Sequence, residues 1–244
     1  MRFYAIGDIH GHLDQLRNAH RLIEEDRGRV RDPDAAVVHT GDLVDRGPDS
    51  RGVLEYLISG RATGAPWVVL LGNHDRMFLR FVRDGLAHDP AVRSGKSWLH
   101  PVLGGATTLA SYGVEAEDGS FEAAIDAARA AVPSDHLAFL AELPLWLETE
   151  AHICVHAGIR PGIPLPQQAE EDLLWIRDDF LLETADHGKL VVHGHTALKM
   201  PVFYGNRLNI DAGAGYGRPI APVVVEGRAA WMLTDTGRFP LRAP

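Results

Sequence analysis

A chain of 244 residues that is 45% hydrophobic and 23% charged can bury an enzyme-sized core and lacks the apolar depletion that marks disorder. Its formal charge of -9, from 24 Lys and Arg against 33 Asp and Glu, repels polyanions and anionic membranes and so argues against nucleic acid or a membrane as partner. The single cysteine, Cys154, rules out an intramolecular disulfide and a thiolate metal cluster, and its neighbours Ile153 and Val155 predict a buried small hydrophobe.

The N-terminus runs directly into Arg2-Phe3-Tyr4-Ala5-Ile6, which reads as a first strand rather than a leader peptide. No segment approaches the roughly 20 apolar residues needed to cross a bilayer, and the expected location is cytoplasmic. Leu13, Leu16, Ala19, Leu22 and Ile23 share one helical face, and Val53, Leu54, Leu57 and Ile58 share another. Between and after them, short apolar runs at Ala35 to Val38 and Trp67 to Leu71 predict strands. From about Gly85 to Glu150 the chain reads as a mostly helical insertion, with Ser120 and Ser134 as candidate caps. Further strands are predicted at Ile153 to Val155, Leu190 to Val192, Leu208 to Ile210, Val223 to Val225 and Ala229 to Leu233. Turn signals at Gly205-Asn206 and Glu226-Gly227 suit antiparallel hairpins. Alternating strands and helices followed by hairpins predict an α/β fold with mixed sheets. No repeat or linker divides the chain, so one domain over residues 1–244 is expected, with the insertion at approximately 85–150 inside it.

Residues able to bind metal fall just after the predicted strands. The first strand leads into Gly7-Asp8-Ile9-His10-Gly11-His12, the second into Gly41-Asp42-Leu43-Val44-Asp45-Arg46-Gly47 and the third into Gly72-Asn73-His74-Asp75. Two later strands end at His156-Ala157-Gly158 and His193-Gly194-His195-Thr196. Ligands of α/β sheets gather outside the carboxyl ends of strands, so five such loops are predicted to converge. Hard oxygen donors mixed with imidazoles suit Mn, Fe, Zn or Co better than Ca, and adjacent glycines allow sharp turns and close approach. Singly, Asp8 or Asp42 could cap a helix, His74 could be a satisfied buried imidazole and Arg46 could make a surface ion pair. Separate structural roles do not explain their joint placement at successive strand ends.

This ordered set resembles the PPP-type serine/threonine protein phosphatases, in their bacterial branch, within the calcineurin-like metallophosphoesterase superfamily, and the likeness covers nearly the whole chain. The resemblance implies a four-layer α/β/β/α sandwich of two mixed β-sheets flanked by helices. It also implies two divalent metal ions, manganese first, with Fe, Zn or Co as alternatives. Asp8 and His10 would bind one ion, Asp42 would bridge, and Asn73, His156 and His195 would bind the other. Hydrolysis would proceed by attack of a metal-bridging hydroxide, two ions about 3.5 to 4 Å apart being able to generate the nucleophile and clamp phosphate oxygens. His74 would be the general acid, oriented by Asp45, a carboxylate expected to raise the imidazole pKa. Arg46, Arg177 and Asn73 would hold the phosphate. Arg177 comes from Leu173-Leu174-Trp175-Ile176-Arg177, which looks like the phosphate-binding segment of bacterial members, and its planar fork suits two oxygens. Arg160 and Arg218 read as surface residues, and His12 and His193 as lying beside the ligands or in the pocket wall.

For substrate, the resemblance implies a phosphorylated protein or a small phosphoester, with a serine/threonine phosphomonoesterase as the leading expectation. The alternative is a dinucleoside tetraphosphatase, a sibling branch. Asp45 and Thr196 favour the phosphatase, whereas Asp75 and Leu71 depart from its eukaryotic members, and the Asp211 to Gly217 stretch matches the family only in part. An inactive binding module of the same fold would have no physical need for His74 and Asp45. Trp67, Trp146, Trp175 and Trp231 read as core, and Trp98, in the polar stretch from Ser94, as a candidate for the substrate mouth.

Overall fold

The computed structural model describes residues 2–243. Strand β1 (Arg2–Ile6) sets the architecture through its period-two alternation: Tyr4 and Ile6 enter one core, and Phe3 and Ala5 enter another on the opposite face. Helix α1 (Leu13–Val30) buries Leu16, Ala19, Leu22 and Ile23 against the first core. It is followed by β2 (Val37–His39), α2 (Ser50–Ala62), β3 (Trp67–Val69) and α3 (Asn73–Asp84). The three strands are parallel in the order β1, β2, β3. Helices α1 and α2 pack along the same side, with Val53, Leu54 and Leu57 buried.

Helices α4 (Gly105–Ser111), α5 (Phe121–Ala131) and α6 (Ser134–Ala141) extend that helical layer, adding Leu109, Ile125 and Leu140 to its core. Ser120 is the residue before α5, although its side chain makes no cap hydrogen bond. Ser134 is not a cap: Pro133 holds that position and Ser134 is the first helical residue. Pro133 lies in extended backbone, with ψ 140°, and its ring fixes φ at −61°, so it stops one helix before the next begins.

A second sheet takes β4 (Trp146–Glu148), β5 (His152–Val155), β6 (Leu190–His193), β7 (Val202–Phe203) and β8 (Arg207–Asn209) in the order β4-β5-β6-β8-β7. Helices α7 (Glu170–Trp175) and α8 (Asp178–Leu181) cover its outer face through Leu173 and Phe180, with Ile176 between them. The chain then returns to the first sheet with β9 (Val223–Glu226), β10 (Ala229–Thr234) and β11 (Gly237–Leu241), giving the order β11-β10-β9-β1-β2-β3. Hairpins turning at Gly205-Asn206 and at Gly227-Arg228, one residue beyond the expected Glu226-Gly227, join β7 to β8 and β9 to β10 in antiparallel register.

Phe3, Ala5 and Val38 from the first sheet meet Cys154, Val192 and Leu208 from the second in a shared core. The layers are therefore helix, sheet, sheet, helix, and both sheets are mixed. Cys154 is buried there, and burial pushes its thiol up to about 12. The strands without a sequence signal, β4, β7 and β11, are all sheet edges. Edge strands bury one side at most and tolerate a residue such as Pro240, so they lack a continuous apolar run. No described helix is long and apolar enough to cross a membrane.

Candidate metal centre and active site

Parallel β1, β2 and β3 release their following loops side by side, and β5 with β6 does the same from the second sheet. The loops are stitched by backbone: Ile9 and His10 N–H groups both donate to Asp42 O, and Gly11 N–H donates to Leu43 O. His74 N–H donates to Asp42 Oδ1 at 2.9 Å, and His195 N–H to Asp8 Oδ1 at 3.0 Å. Among the described residues, the non-glycine positions with positive φ are Arg31 and five site residues, His10, Asp42, Asp45, Arg46 and His195. Such conformations cost energy and persist where surrounding structure imposes them, commonly at functional sites. Gly72 and Gly194 are needed for close approach, since a Cβ would collide with Asp42 or with Asp8 Oδ1 respectively.

The side chains fit a pair of cations. His10 Nδ1 is 2.9 Å from Val44 O and His156 Nδ1 is 2.8 Å from Thr40 O, contacts that place the ring proton there and turn each Nε2 lone pair inward. His156 Nε2 then lies 2.8 Å from Asn73 Oδ1, two lone pairs facing one space, and buried His195 Nε2 has no hydrogen-bond partner among the described residues. Asp42 stands between two groups, with Oδ2 3.6 Å from His10 Nε2 and Oδ1 3.4 Å from His156 Nε2. Ligand atoms of His10, Asp42 and His74 lie within 4.8 Å of one another, as do those of Asp42, His156 and His195. Asp8 adjoins the first group, with Oδ2 3.9 Å from His10 Nε2. Burial, then neighbouring Asp211 and Asp42, holds the Asp8 carboxyl well above the usual range, and burial and Asp75 do the same for Asp42. Burial lowers His156 to about 3. Packed acids and neutral imidazoles of this kind need positive charge between them, and a hard divalent ion suits the donor set.

His74 Nδ1 sits 2.6 Å from Asp45 Oδ2. Asp45 is further gripped by Trp98, whose indole N–H donates to Oδ2 at 2.8 Å, and by Thr108, whose hydroxyl donates to Oδ1 at 2.7 Å. Trp98 is thus no mouth residue: it is buried against Phe78 and Phe81, with its one polar atom spent on Asp45. Burial raises Asp45 to about 7, and burial together with Arg46 holds His74 well below the usual imidazole range. The expected upward pull of Asp45 on His74 is therefore outweighed, because both groups are removed from water and Arg46 faces the ring.

Arg46 reaches across the centre, with Nη1 2.9 Å from His10 Nε2 and Nη2 3.1 Å from His74 Nε2, and its guanidinium lies 5.2 Å from the Tyr216 ring centroid. Arg177 is exposed at the rim, donating to Thr196 Oγ1 at 3.2 Å. The cavity formed here is about 100 Å³ and is also lined by Trp175, Asp211 and Tyr216. Trp175, expected in the core, is half-buried and lies edge-on to His195 at 6.0 Å. Asp211 follows a strand end as the other acids do, which was its available signal. Asp75 ties the loops together, accepting from Leu43, Val44 and Gly72 N–H groups.

Two histidines lie elsewhere. His12 lines a separate small cavity beside Gln15 and Asp49, because the chain has already turned into α1. His193 is buried against Phe180 on the helix-facing side of the second sheet, whereas His195 lies past the end of β6, where positive φ redirects it. Arg160 is held by Asp172 and Asp179, and Arg218 by Ala212 O.

The calcineurin-like phosphoesterase family profile matches residues 1–219. The chain belongs to that family and is a metallophosphoesterase, a hydrolase acting on phosphoric ester bonds. It is 26% identical over 241 residues, 89% of this chain and 87% of the relative, to the asymmetrical bis(5'-nucleosyl)-tetraphosphatase PrpE of Bacillus thuringiensis strain Al Hakam. A crystal structure provisionally assigned as a diadenosine tetraphosphatase is similar with a TM-score of 0.65 at 21% identity, over 100% of this chain and 95% of that one. A cold-active protein-tyrosine phosphatase from a psychrophilic Shewanella follows at 0.63 and 16%, over 99% and 80%. At these identities the two structures speak for the fold.

Proposed function

We propose that this enzyme cleaves a phosphoanhydride bond of a dinucleoside polyphosphate, of the tetraphosphate class. The observation that carries this is the sequence likeness to PrpE over 89% of the chain. It outweighs the earlier preference for a protein phosphatase, because the two residues behind that preference have local duties: Asp45 anchors His74, and Thr196 accepts from Arg177. Residues 1–244 act as one catalytic domain in this proposal.

Asp8, His10, Asp42, Asn73, His156 and His195 would hold two divalent ions, manganese first. When bound, such ions activate water and neutralise phosphate oxygens. Arg46 donates to phosphate oxygens from the centre and Arg177 from the rim, and Asn73 orients the phosphate beside His156. Phosphate that takes the Arg46 Nη2 hydrogen bond leaves the His74 Nε2 lone pair free to take up a proton from water and hand it to the leaving oxygen. Asp45 holds the opposite ring nitrogen and fixes the direction of that transfer.

A second reading, a phosphomonoesterase acting on phosphorylated protein, is favoured by the 2.6 Å His74–Asp45 contact, since an alkoxide needs a proton more than a nucleotide phosphate does. Manganese-supplemented turnover of diadenosine tetraphosphate, a phosphoserine peptide and a phosphotyrosine peptide, with a chelator control, separates the two. Chelator-sensitive preference for the dinucleotide is expected. Faster release from either peptide would replace the first reading with the second.

A further inference from the structure

Beside the candidate site lies a cleft of about 850 Å³ that shares Trp175 and Arg177 with it. The site cavity holds little more than a phosphoryl group, whereas this volume lies in the range of pockets for whole small ligands. Trp175 lines it with its indole, whose Nε1–H is buried and has no hydrogen-bond partner among the described residues. Pro90, Ala91 and Val92 also line it, next to exposed Arg93.

Most charges around the cleft are committed. Glu171 pairs with Arg76, and Asp172 and Asp179 pair with Arg160. Arg93 and Asp178 have no ion-pair or side-chain hydrogen-bond partner among the described residues, and Arg177 has only Thr196. The uncommitted set is thus two cations, one carboxylate and an aromatic wall, opening onto a phosphate site. A basic peptide would require free acids, and only Asp178 is free.

We propose that this cleft is the nucleoside pocket of the enzyme. It takes a nucleoside 5'-phosphate whose base lies against Trp175, whose ribose hydroxyls meet Asp178 and whose phosphate chain passes Arg93 and Arg177 toward the site. Stacking on an aromatic wall tolerates any base, so the pocket selects for a nucleoside more than for its identity. The pocket rests on the dinucleotide reading and names where the second part of that substrate sits.

Calorimetric titration of the manganese-loaded full chain with methylene-bridged ADP, inorganic phosphate and a phosphoserine peptide tests it. Wild type should bind the nucleotide more tightly than phosphate. Arg93→Glu, an exposed substitution that leaves the core untouched, should weaken nucleotide binding by about fivefold and phosphate binding by much less. Trp175→Leu should lower the same ratio. Equal affinity for nucleotide and phosphate, a ratio indifferent to both variants, or a loss that falls on the peptide instead would overturn the pocket. Dinucleotide turnover is scored separately: a failed titration beside intact turnover removes the pocket only, and absent turnover beside selective nucleotide binding removes the reaction only.

Discussion

Asp45 has every contact it can use: His74, Trp98 and Thr108 surround its carboxylate, and its backbone N–H donates to Ser50 and Thr108 hydroxyls. The leaving-group proton therefore depends on residues from the segment after α3. His74→Asn should lower turnover of an alkyl phosphate by about 10²- to 10⁴-fold. The loss should be smaller on p-nitrophenyl phosphate and on diadenosine tetraphosphate, whose leaving groups hardly need a proton. Trp98→Phe keeps the aromatic fill but removes the N–H, and should show the same substrate order at about tenfold. Steady-state rates on the three substrates check this, and equal losses on all would confine the network to support of the fold. At this scale the ligand-type residues were legible, because hard donors after strands are a local pattern. The opposite fates of Trp98 and Trp175 were not, since both sit in short segments whose burial depends on partners distant in sequence.

Helix α1 meets β2 and β3 through a buried pair, His20 Nε2 and His39 Nε2 at 2.9 Å, packed against Trp67 and Tyr56. Burial lowers His20 to about 2 and His39 to about 4, so both rings are neutral in the folded chain at neutral pH. The unfolded chain protonates them below about pH 6.5 and the folded chain does not, so stability is lost as pH falls from there toward 4. Each ring contributes up to about 1.4 kcal/mol per pH unit in that window. His39→Gln removes one such group, so its thermal midpoint should fall less steeply between pH 6.5 and 4. An unchanged slope in a calorimetric series would mean that His39 does not titrate as placed. The faces of α1 and α2 were readable from periodicity, which is local. The edge strands β4, β7 and β11 were not, because what makes them strands is a neighbour's hydrogen-bonding edge.

Across the whole molecule, Asp8, His10 and Asp42 come from loops of the first sheet, Asn73 from the start of α3 that follows it, and His156 and His195 from loops of the second, so cations held there would tie the two sheets together. Metal binding to the folded state alone should raise stability by about 2.7 kcal/mol at a hundredfold excess over Kd. Chelation should therefore lower the melting temperature and manganese should restore it in a concentration-dependent way, followed by scanning calorimetry. A midpoint indifferent to both would count against this ligand set. The sequence by itself determined the α/β class, the metal-type donors and the five loops that carry them, because strand periodicity and residue chemistry are written locally. Only the tertiary structure decided that Asp42 stands between the two groups, that Trp98 serves Asp45, that His12 is excluded and that Trp175 and Arg177 join the site to an outer cleft. Those facts depend on packing one sheet against the other, which places residues more than a hundred positions apart, such as Thr40 and His156, within hydrogen-bonding distance.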